Sequence, residues 1–217
     1  MPGTSSPRIA LFLYSLDGGG AERVMATLAN HFVQQGLGVD LVLVRKQGPY
    51  LNILDSAVRV IKLKASRTPA CLPDLITYLR QENPFALLST MHYANEIALW
   101  AKKLSGTATQ VVVCEQNNVS TYARLTSRKA EKWTPLWTKL FYRWADEIVA
   151  VSQGVADDLH RLTGLPNHKI HVIYNPVVTP DLFKQAKEPV DHPWFAPGEP
   201  PVVLGVGRLV GQKDFAT

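Results

Sequence analysis

The chain has 217 residues, of which 46% are apolar and 19% charged, and its net charge at pH 7 is +5. These values are typical of one globular domain, or of one domain followed by the start of another. The mild positive charge suits an anionic small ligand or an anionic lipid surface. A nucleic-acid-binding protein would carry a clustered basic stripe and a recognition module, so we expect no nucleic-acid partner.

The cysteines and the hydropathy pattern bear on the compartment. Cys71 and Cys114 form neither a disulfide framework nor a zinc site, and the histidines lack the spacing of metal ligands. No apolar run approaches the ~18 residues needed to span a bilayer. The first residues lack the basic and then apolar pattern of a signal peptide. We therefore predict a cytoplasmic protein without a metal site.

Strand and helix patterns alternate along most of the chain. Apolar, β-branched runs predict strands at Ile9–Tyr14, Val39–Val44, Val58–Ile61, Phe85–Leu88, Gln110–Cys114, Glu147–Val151 and Lys169–Ile173. Helical patterns lie between them, at Ala21–Gln35, Asp74–Gln81, Ala94–Leu104, Thr126–Ala145 and Gln153–Leu162. This alternation predicts an α/β fold with a doubly wound, Rossmann-like parallel sheet, which binds ligands at the carboxyl ends of its strands.

The segment from Pro176 to Pro201 contains seven prolines. Proline fixes φ and lacks an N–H, so helices and central strands are both disfavoured there. We predict a first domain over residues 1–178 and an interdomain linker over residues 179–201. Val202–Val206 is then the first strand of a second α/β domain, of which residues 202–217 are the incomplete beginning.

Two loops that follow predicted strands suit phosphate. Gly18, Gly19 and Gly20 open a helix, so the backbone and the first helical N–H groups can approach an anion or a sugar hydroxyl. A tight strand–helix turn is the alternative. Arg208 and Lys213 follow Val202–Val206 and suit a diphosphate, or they are two solvated surface cations.

Polar side chains follow two further strands of the predicted sheet. His92 and Asn95 stand after one, and Glu115, Gln116 and Asn117 end the next. The carboxyl ends of buried parallel strands are where binding groups are found, so these residues are candidates for a site. Helix capping and turn formation are the alternative for the asparagines.

Ser152 lies between a strand and a helix. Its surroundings resemble the Gly-x-Ser-x-Gly turn of hydrolases, but Ala150 replaces the first glycine. Asp181 and His192 follow in the chain order that a hydrolase triad would need. A helix N-cap is the simpler interpretation of the serine.

Aromatic and basic residues alternate through residues 124–143. Trp133, Trp137, Leu140, Phe141 and Trp144 recur at helical spacing among lysines and arginines. Such a stripe predicts either a core face or a helix that lies on an anionic membrane.

Four segments together resemble one family. Gly18–Val24, Ala150–Leu159, Val172–Val177 and Gly205–Phe215 are similar, in order and spacing, to segments of the GT-B glycosyltransferases of family 4. The resemblance implies an amino-terminal acceptor-binding domain followed by the start of a nucleotide-sugar-binding domain. It implies a retaining enzyme that transfers a sugar from a UDP- or GDP-linked donor to a glycan or polyprenyl-linked acceptor of the cell envelope, without a metal or other cofactor.

The resemblance also assigns roles to residues. It implies that Arg208 and Lys213 clamp the donor diphosphate, and that Gly19 and Gly20 approach it from the opposite wall. His92, Glu115 and Gln116 would form the catalytic side, with Asn95 and Asn117 at the acceptor. Gln116 stands where the family often has histidine, and glutamine orients by hydrogen bonds without shuttling protons.

The family's donor-side Glu-x7-Glu motif has no place in these 217 residues. We therefore expect the chain alone to lack transferase activity. A non-catalytic module that binds sugar or lipid, and a serine hydrolase using Ser152, are the alternative functions. For the transferase we expect a cytoplasmic protein with peripheral contact at the inner face of the plasma membrane.

Overall fold

The computed structural model describes residues 7–65, 67 and 69–207. Within them, seven strands form one parallel sheet in the order β3-β2-β1-β4-β5-β6-β7. The strands are β1 (Arg8–Leu13), β2 (Gly38–Leu43), β3 (Arg59–Lys62), β4 (Ala86–Thr90), β5 (Gln110–Glu115), β6 (Glu147–Ala150) and β7 (Ile170–Val172). The predicted Rossmann-like parallel sheet is confirmed.

Helices connect successive strands and cover the sheet. They are α1 (Gly20–Gln34), α2 (Leu72–Glu82), α3 (His92–Ser105), α4 (Val119–Leu125), α5 (Thr134–Phe141), α6 (Gln153–Thr163) and α7 (Pro180–Gln185). Short 3-10 helices lie at Pro49–Ile53, Pro69–Cys71, Lys129–Trp133, Tyr142–Trp144, Asn167–Lys169 and Pro193–Phe195. No helix in the described ranges is long and apolar enough to cross a membrane.

The sheet has a buried core on each face, because successive side chains of a strand point to opposite sides. Leu11 and Leu13 of β1 pack in the core that includes Met25 of α1. Ala10 and Phe12, which alternate with them, belong to the core that includes α2 and α3. Two buried faces explain why the strands appear in the sequence as continuous apolar runs.

A charged side chain of β2 lies within this core. Asp40 of β2 is fully buried, and its carboxylate accepts hydrogen bonds from Arg8 at 2.6 Å, from Arg59 at 2.6 and 2.8 Å, and from the Tyr78 hydroxyl at 2.7 Å. Burial by itself raises the pKa of Asp40, but the hydrogen bonds outweigh it and hold the pKa below its ordinary value. The cluster ties β1, β2, β3 and α2 together.

The chain divides into two compact units, Met1–Asn175 and Pro176–Thr217, and the sheet lies in the first. The expectation of no helix in the proline-rich segment is wrong, because α7 begins with Pro180. Proline is tolerated in a first turn, where its missing N–H has no partner to lose, and Thr179 caps the helix through the Leu182 N–H. The predicted strand at Val202–Val206 is also absent from the described residues, since this backbone pairs with no neighbouring strand.

The predicted single helix over Thr126–Ala145 is wrong in its extent. α4 ends at Leu125, and α5 is flanked by 3-10 turns. The Thr126 hydroxyl donates to Glu131 at 2.5 Å and accepts the Arg128 N–H at 3.2 Å, which draws the backbone out of a helix. Pro135 then stands in the first turn of α5, where a helix can begin but not continue from before.

Candidate active site

The candidate site lies at the carboxyl edge of the sheet, between β1 and β4. These neighbouring strands are where the strand order reverses, which is the usual ligand position in a doubly wound sheet. The glycine loop, residues 15–20, follows β1, and the turn 91–93 follows β4. The rings of Tyr14 and Tyr93 connect the two sides edge to face, with their centroids 6.5 Å apart.

The glycine loop is held by the loop that follows β2. Both carboxylate oxygens of Asp17 accept from the Gln47 amide at 2.9 Å, and the Ser15 hydroxyl donates to the same carboxylate at 2.6 Å. The Leu16 N–H donates to the Gln47 carbonyl at 2.9 Å. Hydrogen bonds from Ser15 and then Gln47 lower the pKa of Asp17, so the exposed loop carries a fixed negative charge.

The glycines of this region differ in what a side chain would meet. Gly18 and Gly48 have φ of 111° and 113°, which disfavours any other residue. A Cβ on Gly48 would also lie 1.9 Å from the Leu16 carbonyl oxygen, so the two loops touch backbone to backbone there. A Cβ on Gly19 would meet the Glu22 carboxylate, whereas one on Gly20 would meet nothing within 4 Å.

The start of α1 is available to a ligand. Its N-cap, Gly19, is extended and provides no side-chain cap for the first turn. The first N–H groups of a 15-residue helix carry partial positive charge, and a Cβ on Gly20 would meet no atom within 4 Å, although the Glu22 carboxylate of the first turn lies beside Gly19. This arrangement can accept a phosphate or a sugar hydroxyl, as the sequence predicts.

The turn after β4 is strained. Met91 has φ 75° and ψ 133°, outside the regions that a residue with a side chain readily adopts. Within the described residues, Asn83 is the one other non-glycine residue with positive φ, and it caps α2 in the ordinary left-handed way. Strain of this kind costs about 1–3 kcal/mol and clusters at functional sites. Here it brings His92 to the first position of α3.

The His92 ring is nearly buried, but its nitrogens are free to hydrogen-bond a ligand. It is 8% exposed and lies between Tyr93 and Tyr122, with centroid distances of 5.4 and 5.1 Å. Neither ring nitrogen has a hydrogen-bond partner among the described residues. Burial lowers the pKa of His92, and the charge of Glu131 opposes this only in part, so the imidazole is neutral at pH 7. It can offer one donor or one acceptor to a bound sugar.

The structure places Asn95 and Glu115 inside the domain, and the roles predicted for them stay predictions. Asn95 is fully buried, donates to the Cys114 carbonyl and the Tyr142 hydroxyl at 3.1 and 3.0 Å, and accepts from Ser89 at 2.8 Å. Glu115 is 2% exposed and accepts from Tyr142 at 2.6 Å. Both side chains have their hydrogen-bond partners within the domain. Both support the site from behind.

The turn after β5 carries the other two predicted residues. Gln116 is half-buried, accepts from the Asn175 amide at 2.8 Å, and donates to the Cys114 sulfur at 3.3 Å. Asn117 is half-buried in the same turn, while Asn118 caps α4 through the Thr121 N–H at 2.8 Å. Gln116 therefore orients its surroundings by hydrogen bonds.

The remaining predicted residues have different outcomes. Arg208 and Lys213 lie outside the described residues, so their contact with a diphosphate stays a prediction. Ser152 is the N-cap of α6, and its hydroxyl accepts the Val155 N–H at 3.4 Å. The capping interpretation is confirmed, and the hydrolase alternative loses its main support.

Sequence reasoning missed the loop that supports the glycines, namely Gln47, Gly48 and Tyr50. Tyr50 donates to the Gly18 carbonyl at 3.4 Å, which adds to the contacts of Gln47 and Gly48. The signal was present, because Gly48 and Pro49 form a turn directly after a predicted strand, at the ligand edge.

The aromatic segment divides into two sets. Phe141 and Trp144 pack on Trp100 of α3, with centroid distances of 5.2 and 4.9 Å. A second set lies on the solvent side with exposed fractions of 39–60%, and we call it the α5 surface: Trp133, Leu136, Trp137 and Leu140. Trp137 also stacks on Phe141, with ring centroids 5.7 Å apart, so the two sets touch, and the core face accounts for Phe141 and Trp144 of the five-residue stripe.

The fold is that of the amino-terminal domain of a GT-B glycosyltransferase. The profile of Glycosyltransferase Family 4 matches residues 18–180, and the chain belongs to this family. The predicted resemblance is thereby confirmed. No curated protein matches the chain.

Solved structures with the same fold are distant in sequence. The lipopolysaccharide outer core galactosyltransferase WaaB, in its apo form, is 16% identical, with TM-score 0.58 over 78% of this chain and 46% of its own. Anabaena HepE in complex with UDP-glucose is 15% identical, with TM-score 0.61 over 83% and 50%. Sucrose-phosphate synthase from Thermosynechococcus elongatus is 14% identical, with TM-score 0.60 over 77% and 48%. The chain spans about half the length of each, and at these identities the likeness shows the fold.

Proposed function

We propose that the chain is the acceptor-side half of a retaining glycosyltransferase, which moves a sugar from a UDP- or GDP-linked donor to a glycan or polyprenyl-linked acceptor without a metal. One observation carries the proposal. The open amino terminus of α1 and the unpartnered His92 ring follow two neighbouring strands at the switch point of the sheet. Family membership supports it, as does the UDP-glucose bound by HepE.

Each group has a role in this proposal. Gly19 and Gly20 admit the donor diphosphate or the transferred sugar to the start of α1. The neutral His92 ring hydrogen-bonds the reacting sugar or the acceptor hydroxyl. Arg208 and Lys213 neutralise the charge that develops on the leaving diphosphate.

The proposed reaction is a front-side exchange at the anomeric carbon. The bond from this carbon to the phosphate oxygen breaks, and a bond to the acceptor oxygen forms on the same face. The acceptor proton passes to the departing phosphate oxygen. No residue in this scheme must act as a charged base at pH 7, which is consistent with the neutral state of His92.

Calorimetric titration of the chain with UDP, GDP and their sugars, and with polyprenyl-linked acceptors, tests the proposal. We expect weak nucleotide binding that is lost in Arg208→Ala and Lys213→Ala but kept in Lys103→Ala, a matched control on the exposed end of α3. Acceptor binding without nucleotide binding would assign the donor site to residues outside this chain. Failure of both would favour the non-catalytic binding module.

Turnover is the second test. We propose that the 217-residue chain does not turn over a nucleotide sugar, because the donor-side Glu-x7-Glu motif is not among its residues. In the longer enzyme, we expect His92→Gln to lower kcat by roughly 100-fold, the lower end of the usual contribution of one positioned polar group. Turnover by the chain alone would contradict the first expectation.

We also propose that the α5 surface lies on an anionic membrane, which would bring the site to a lipid-linked acceptor. Its four apolar side chains follow the i, i+3, i+4, i+7 spacing of one helix face. Exposed cations lie along the same segment: Arg128, Lys129, Lys132, Lys139 and Arg143. Exposed tryptophans beside cations suit the interface of an anionic bilayer.

Flotation with vesicles of neutral lipid, with and without anionic lipid, tests this contact. We expect binding only to anionic vesicles, a loss of it in the double variant Trp133→Ala/Trp137→Ala, and weaker binding in Lys132→Gln/Lys139→Gln. Trp194→Ala is the matched control, because Trp194 is as exposed as Trp133 but lies in the second unit. Equal binding to both vesicle types would remove the electrostatic part of the proposal.

A further inference from the structure

We infer that Glu115 is a positioning residue, whose buried carboxylate fixes the turn 116–118 and thereby the side chain of Gln116. The inference concerns the site of the proposed transferase, and its consequence for catalysis rests on that function. Its structural part can be tested without any assay of activity.

The Glu115 carboxylate is the centre of a set of inward-facing donors. The Tyr142 hydroxyl donates to it at 2.6 Å, and the Asn95 amide approaches the same oxygen at 3.5 Å. The backbone N–H dipoles of Gln116 and Asn117, which follow Glu115 directly in the chain, also lower the pKa of this carboxyl. Within the described residues, no lysine or arginine pairs with Glu115, so dipoles alone compensate its charge.

These donors come from different elements of the fold. Tyr142 belongs to the 3-10 turn after α5, and Asn95 belongs to the first turn of α3, three residues after His92. Ser89 of β4 holds the Asn95 amide by donating to its oxygen at 2.8 Å. The carboxylate therefore joins the turn after β5 to the strained turn after β4.

The contacts of Gln116 continue this network from the Glu115 carboxylate toward Asn175. Gln116 follows Glu115 directly in the chain, and its side chain donates to the Cys114 sulfur at 3.3 Å and accepts from the Asn175 amide at 2.8 Å. Asn175 is the last residue of the first unit. The position of Gln116, which the family often fills with histidine, thus depends on the carboxylate behind it.

The pKa of Glu115 indicates that its ionised carboxylate does not stabilise the fold at neutral pH. Burial raises the pKa of Glu115 to about 7, although Tyr142, the two backbone N–H groups and Asn95 oppose the shift. Burial and the charge of Glu115 also raise the pKa of the neighbouring Glu96 on α3 to about 7. The Tyr142 and Cys114 groups beside them have raised pKa values and stay protonated.

The sign of the linkage follows from these values. An unfolded glutamate has a pKa near ~4.3, so the folded chain binds more protons between about pH 4.3 and 7 and loses stability as pH rises through that window. The ionised carboxylate is therefore a cost to folding above pH 7. Protonation removes a charge-assisted acceptor from the two N–H groups, so the turn loosens as pH falls below 7.

Hydrogen exchange on the full chain tests the inference. We expect the protection factors of the Gln116 and Asn117 amides to fall at least ~10-fold in Glu115→Gln, and likewise in the wild type between pH 8 and 5.5, relative to β2 amides. We expect Tm at pH 8 to be unchanged or higher in this variant, with less pH dependence. Glu147→Gln is the matched control, because Glu147 is a half-exposed acid on the next strand.

Tyr142→Phe is the second variant, which removes one hydroxyl donor and keeps the ring. Unchanged protection of the two amides in Glu115→Gln would overturn the inference. If Glu115→Gln lowers protection everywhere, Tyr142→Phe decides: loss confined to the turn supports the inference, and no local loss overturns it. In the longer enzyme, we expect a lower kcat at constant donor KM. A chain that proved inactive as a transferase would contradict the proposed function while leaving the exchange result to decide on Glu115.

Discussion

Replacing Gly48 with alanine tests whether the glycine loop depends on its neighbour. The new Cβ would lie 1.9 Å from the Leu16 carbonyl oxygen, which must move by roughly 1.5 Å to restore an ordinary contact. The φ of 113° adds about 1 kcal/mol of backbone strain for a residue with a side chain. Overpacking against backbone typically adds about 1–3 kcal/mol. We therefore expect Gly48→Ala to lower the free energy of unfolding by about 3 kcal/mol.

Two other glycines separate the contributions. Gly36 has φ of 81° but nothing within 4 Å of its Cβ position, so Gly36→Ala measures backbone strain alone, about 1 kcal/mol. Gly20 has neither a positive φ nor a neighbour, so Gly20→Ala leaves stability nearly unchanged. In a chain of this size, 3 kcal/mol corresponds to a Tm lower by about 9 °C, which calorimetry and urea titration both resolve.

Nucleotide binding adds a second readout to this series. We expect Gly48→Ala to weaken binding because it displaces the turn of Leu16 and Asp17. Gly20→Ala should weaken binding without a change in Tm, because its methyl group takes up empty space at the first residue of α1. If Gly48→Ala is no less stable than Gly36→Ala, the loops are not in contact as described. The argument that the second loop holds the first would then fail.

Three further predictions follow from individual contacts. Asp40→Ala should lower the free energy of unfolding by about 3 kcal/mol. This is the lower end for a broken buried ion pair, because the Arg8 and Arg59 side chains are 40% and 43% exposed and can be solvated again. Asp157→Ala, at an exposed position, is the control in urea titration, and equal stability of the two variants would contradict the prediction. Because the pKa of Asp40 is lower in the folded chain, its ionisation stabilises the wild type above about pH 3.9, and this stabilisation is lost as pH falls through the folded pKa. Asp40→Asn should therefore show a flatter dependence of stability on acid pH, and a curve identical to that of the wild type would refute this. Ser152→Ala should cost about 1 kcal/mol as a lost N-cap with ligand binding unchanged, whereas complete loss of a hydrolytic activity would revive the hydrolase interpretation.

Periodicity predicted the sheet well, because strands buried on both faces leave an unambiguous apolar signal. Each of the seven strands predicted for the first domain overlaps an observed one, as with Val39–Val44 and β2, whereas the strand predicted at Val202–Val206 is not found. The helix over Thr126–Ala145 was overextended, because hydrophobic spacing continues through Thr126 and Pro135 while backbone hydrogen bonding does not. The short α7 was missed, because proline was treated as a helix breaker rather than a residue that can begin a helix.

The sequence predicted which edge of the sheet carries the candidate residues, but not which of their side chains are buried. The carboxyl ends of strands placed Gly18, His92 and Glu115 at the correct edge. Sequence spacing does not tell which of these side chains turns inward, because that depends on partners distant in the chain, such as Tyr142 for Glu115. Met91 carries no sequence signal either, since its positive φ is imposed by tertiary structure.

The contacts between the loops after β1 and β2 have a kinetic consequence. Ordering one residue costs roughly 1–2 kcal/mol of conformational entropy, and Gln47, Gly48 and Tyr50 make the glycine loop lose that freedom when the domain folds. A nucleotide sugar would then meet a preorganised surface, and its association rate would be set by diffusion and charge rather than by loop closure. Substitutions in the loop after β2 would slow capture of the donor without touching it.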